Sequence, residues 1–124
     1  MDLKYYREIT SSYAKTMKGL SSKDTHYIEK YEAYKLIDNR FNVKKIYYSE
    51  GLYSFIILFN TKKDEKEVYL SLNKLKKDYK GMDLELEMKF DEDEEGKFLY
   101  TLKIFYESEY EKAISTLLHS ISSK

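Results

Sequence analysis

The chain has 124 residues, 42% hydrophobic and 35% charged, and its 22 basic and 22 acidic side chains cancel to a formal net charge of zero. That length accommodates one domain with a buried core, and an aromatic share of 16% excludes a chain too polar to fold. Charge neutrality removes any global field for nucleic acid or anionic membrane, and the absence of Cys excludes disulfides, thiolate catalysis and thiolate metal sites.

The first residues, MDLKYYREIT, are charged and amphipathic rather than apolar, which predicts a cytoplasmic protein with no membrane partner. Leu3, Tyr6, Ile9, Tyr13, Met17 and Leu20 recur at three- and four-residue steps and predict a first helix ending near Gly19. A second helix is expected from Thr25 to about Asn39–Asn42, with Tyr27, Tyr31 and Tyr34 along one flank. Val43–Glu50, rich in Val, Ile and Tyr, reads as a strand, and Ser49-Glu50-Gly51 as the turn after it.

Leu52–Phe59 has no charge and carries apolar residues on both alternating sets. It is too short to cross a membrane, so it is expected to lie in the middle of a sheet with both faces covered. Asp64–Lys80 allows two readings. As one helix it has an acidic start, a basic end and Gly81 behind it; as strand plus short helix, Val68, Leu70 and Leu72 alternate and Asn73 caps the remainder. The second reading is preferred because a single helix leaves Leu70 off the apolar stripe.

Met82–Phe90 alternates cleanly, which predicts a strand with Met82, Leu84, Leu86, Met88 and Phe90 on a dry face. A charged turn, Asp91–Lys97, joins it to Phe98–Tyr106, with Phe98, Tyr100, Leu102 and Ile104 inward. Ser108 and Glu111 form a capping box for a C-terminal helix. The expected fold is therefore a single α+β domain over residues 1–124. It has an antiparallel sheet of four to five strands, with two N-terminal helices, a short middle helix and a C-terminal helix packed mainly on one face.

Motifs that would name a reaction are missing: the sequence holds no Gly-rich phosphate loop, no nucleophile elbow and no metal-ligand spacing. His26 and His119 are expected in surface roles near helix ends. Asp91–Gly96 imitates the start of a calcium loop, but the twelfth position is Leu102 and the segment joins two strands, so a solvated turn is expected. No enzyme, cofactor or metal is predicted.

Charge is nevertheless segregated. Asp83–Glu95 carries eight acids against Lys89, net −7, and Thr61–Lys80 carries seven Lys against four acids, net +3. Asp83, Glu85, Glu87, Asp91 and Asp93 form a candidate acidic surface able to mimic a nucleic-acid backbone. Lys74, Lys76, Lys77 and Lys80 form a candidate phosphate-binding surface. The favoured reading uses the 14 Tyr instead. Tyr5, Tyr6, Tyr27, Tyr31 and Tyr34 cannot all face one small core, and Tyr suits binding surfaces. A small non-enzymatic interaction module is expected, an adaptor, chaperone-like or inhibitor protein that binds another protein or itself as a homodimer. A nucleic-acid role is the alternative.

Overall fold

The computed structural model of the chain describes residues 3–9, 40–49, 51–79, 81, 83–93, 95–110, 113, 114, 116, 117 and 120. Five strands form one antiparallel sheet: β1 (Arg7–Glu8), β2 (Val43–Ser49), β3 (Ser54–Phe59), β4 (Leu84–Glu92) and β5 (Phe98–Tyr106), in the order β1-β2-β3-β5-β4. The charge-free run supplies β3. All six of its residues are buried, because β2 and β5 cover its edges and packed side chains cover both of its faces.

One helix with defined bounds, α1 (Lys62–Asp78), packs on the first face. Val68 and Leu72 reach Phe55, Ile57 and Phe59 of β3 and Leu102 and Ile104 of β5 in a single cluster, joined by Ile114. The helix begins where the sequence permits it. Thr61 is extended, its Oγ1 accepts from the Asp64 backbone N–H at 3.4 Å, and Asp64 and Glu65 meet the positive end of the dipole. It stops at Tyr79, whose N–H donates to the Leu75 carbonyl, and Gly81 at φ 82° reverses the chain into β4. Asn42 ties β2 to this start by donating its N–H to Asp64 Oδ2 at 2.9 Å.

The opposite face holds a smaller cluster, Tyr47, Ile56, Leu58 and Leu99, covered by Leu3 and Tyr6. Tyr6 also donates its hydroxyl to Ser54 Oγ at 2.8 Å, which satisfies a fully buried polar group on β3.

The expected α+β arrangement with four helices is corrected to a sheet-dominated one. Leu3 does not open a helix: it accepts from the Tyr6 N–H at 3.0 Å in a turn, and Arg7–Glu8 pair with Tyr48 and Tyr47 of β2. The edge of β2 offers unpaired backbone groups, and pairing with it satisfies both chains where a helix would satisfy one. The rest of that helix, and the one expected from Thr25, lie outside the described residues. The middle segment is one helix of 17 residues instead of a strand and a short helix. Toward the C-terminus, Ser108–Tyr110 form a 3-10 turn where a capping box was expected, and Ala113, Ile114, Thr116, Leu117 and Ser120 have helical backbone. Glu111 lies outside the described residues.

Candidate functional site

The β4–β5 hairpin is the sheet's long free border: β4 has nine residues against two in β1, and among the described residues no strand pairs with its outer side. Which of its backbone groups are free follows from the ladder. Asp93 donates its N–H to the Lys97 carbonyl at 2.8 Å, and Tyr106 donates to the Tyr53 carbonyl at 3.1 Å. Hydrogen-bonded pairs alternate along an antiparallel ladder, so Glu85, Glu87, Lys89 and Asp91 bond to β5. Leu84, Leu86, Met88, Phe90 and Glu92 direct their N–H and C=O groups outward.

Side chains of the same even-numbered residues lie on the α1 side of the sheet, where β4 and the flank of α1 enclose a groove of about 360 Å³. Met88, Phe90, Tyr100, Tyr69 and Leu70 line it, with Lys62, Lys66 and Lys89 also bordering it. Phe90 stacks on Phe98 with ring centres 5.3 Å apart and tilts against Tyr100 at 4.9 Å. Four of the large apolar side chains here are exposed: Met88 45%, Phe90 58%, Phe98 51% and Leu70 52%. An apolar residue left in water forfeits the stabilisation of burial, and four gathered around one border form a patch rather than a scatter.

Glu65 adds a polar element to the groove wall. It is 5% exposed, and among the described residues its Oε2 has no hydrogen-bond partner. Burial raises its carboxyl above the ordinary value, and the charge of Lys62 opposes the shift.

Asp93 sits elsewhere, in the β4–β5 turn. A bulge at Val43/Lys45 releases Lys44 from the β2 register, and its ammonium bonds Asp93 Oδ2 and approaches Glu95 at 3.5 Å. Asp93 Oδ1 accepts from the Glu95 and Lys97 amides, both at 2.9 Å. The hydrogen bond from Lys44 holds the carboxyl down at about 2, with the turn amides assisting, and the same bond raises Lys44.

The residues singled out from the sequence are dispersed. Glu85, Glu87 and Asp91 follow one another along the β4 face away from α1, with Asp83 just before the strand, but Asp93 is buried in its turn. Lys103, opposite Glu87, lies over the rings of Tyr6 and Phe105. Lys74, Lys76 and Lys77 are exposed near the C-terminal end of α1, where cations favour the helix dipole. Tyr5 is exposed and Tyr6 half-buried on the second face. Tyr27, Tyr31, Tyr34, Lys80, His26 and His119 lie outside the described residues.

Sequence reasoning placed Met88, Phe90 and Phe98 on a dry face and so missed the groove. The usable signal was Leu70, the one apolar residue that did not fit a helical stripe. Among the described residues no cluster of three or more His, Cys, Asp or Glu is arranged to hold a metal ion, and no helix is long and apolar enough to cross a membrane. Comparison with family models, curated proteins and solved structures finds no match for this chain.

Proposed function

We propose that the chain is a small non-enzymatic protein-interaction module that captures an extended segment of polypeptide along β4. The observation that carries this reading is the coincidence, on one border, of outward-directed backbone groups at Leu86, Met88 and Phe90 with apolar side chains from the same residues, half-buried at Leu86 and exposed at Met88 and Phe90. Strand addition needs both, since the ladder supplies affinity and the alternate side chains supply selectivity. A border meant to stay solitary would carry charge along both faces, whereas here Glu85, Glu87, Lys89 and Asp91 charge the face away from α1 and the α1 side is apolar from Leu84 to Phe90, with charge only at the strand's last residue, Glu92.

Selection from a displayed random-peptide library against sparsely immobilised protein tests the reading. Enriched peptides are expected to carry apolar residues at every second position and to lose binding to Phe90→Asp. Peptides that bind Phe90→Asp equally well, or a library that yields none, refute it.

A further inference from the structure

Resting on that reading, we infer that the segment captured along β4 is the β4 of a second copy of the chain, paired antiparallel about a two-fold axis through Met88. Nine residues, Leu84 to Glu92, have Met88 at their centre, so this register pairs the whole strand. It sets Met88 opposite Met88 and Leu86 opposite Phe90, and these are the residues whose N–H and C=O groups point outward. The two ladders therefore mesh without rotation of any backbone group.

The charged face agrees at its centre. Glu87 meets Lys89 of the second copy and Lys89 meets its Glu87, two opposite-charge pairs related by symmetry. Within one chain these side chains already lie 3.6 Å apart, so pairing assembles four alternating charges. Glu85 opposite Asp91 is unfavourable and lies further from the axis. A register centred one residue earlier places Glu87 against Glu87 on the axis and overlaps less of the strand.

The apolar face agrees as well. Both copies present the α1 side of their sheets on the same side of the joined sheet, so Phe90 meets Leu86 across the new ladder. Met88 and Leu70, open in the single chain, then face their own symmetry mates. A foreign peptide covers the same groove from one side only and has no reason to alternate acid and base at these positions.

Two experiments on the full chain decide the matter. In the first, light scattering over a dilution series should rise from 14.9 kDa toward twice that mass. Glu87→Lys and Lys89→Glu should each weaken self-association roughly tenfold or more, and an equal mixture of the two should recover it, since only the mixed pair restores opposite charges between copies. Restoration within one chain cannot produce that recovery.

In the second, the cysteine-free sequence allows single thiols to report register. Opposed residues in a hydrogen-bonded pair have Cα atoms about 5.5 Å apart, within disulfide reach. Met88→Cys should cross-link to itself on mild oxidation, and Leu86→Cys should cross-link to Phe90→Cys but not to itself. A chain that remains at 14.9 kDa at every concentration yet binds selected peptides through Phe90 overturns the self-pairing and leaves peptide capture standing. A dimer that forms no Met88→Cys cross-link and is indifferent to the charge variants places the contact elsewhere and also overturns it.

Discussion

Asp93 and Glu65 are both buried carboxylates, and they respond to pH in opposite senses. Asp93 has an ordinary value of 3.8 and a folded value of about 2, so as the pH falls the unfolded chain takes up this proton first. The stabilisation it provides is complete above pH 4 and drains away between about pH 4 and 2. Asp93→Asn should lower the urea midpoint at pH 7 and remove that part of the acid dependence. Glu65 is raised above its ordinary 4.5, so its folded form resists ionisation and its relative stability falls as the pH climbs through the raised value. Glu65→Gln, which spares the burial of a carboxylate oxygen with no partner among the described residues, should raise the stability measured by urea unfolding at pH 7 by up to about 1 kcal/mol, with the gap closing near pH 4. A Glu65→Gln midpoint below that of the parent at pH 7 would show that the ionised carboxylate stabilises the fold.

Among the elements, β3 was legible because its signal is short-range: six consecutive buried residues require an uncharged run, and Leu52–Phe59 is such a run, rich in β-branched and aromatic residues and bounded by Gly51 and Asn60. The two hairpins were legible for the same reason, through alternation and turn residues. β1 was not, since two residues carry no period and its pairing is decided by the distant edge of β2. The middle segment was misread through an assumption about Leu70, that an apolar side chain must be buried. In α1 it is 52% exposed, on the flank that faces the groove. Phe90 and Phe98 broke the same assumption on β4 and β5. These departures from burial are not scattered, and their convergence on one border marks the candidate site. The contrast within α1 is measurable. Leu72 is fully buried, so Leu72→Ala should cost about 2–5 kcal/mol of stability. Leu70→Glu should leave the stability of the single chain within about 0.5 kcal/mol while abolishing association along β4. Urea unfolding of both variants at low protein concentration separates the two effects. An equal loss in both would mean that Leu70 belongs to the core.

At the level of the whole molecule, the sheet is covered unequally. α1 and Ile114 lie over the first face, whereas the described cover of the second is Leu3 and Tyr6, from a segment held to the sheet by the two pairs of β1. Tyr6 contributes twice, with its ring over the small apolar cluster and its hydroxyl on Ser54, which is fully buried. Removing the hydroxyl alone leaves Ser54 Oγ without that donor, so Tyr6→Phe should cost about 1 kcal/mol. Removing the ring also uncovers Ile56 and Leu58, which have nowhere to retreat in the centre of the sheet, and Tyr6→Ala should cost about 3 kcal/mol or more. The order of the two costs is the informative result. If Tyr6→Ala costs no more than Tyr6→Phe in urea unfolding, residues 3–9 do not seal the second face. The charge-free strand would then owe its dryness on that side to another part of the chain.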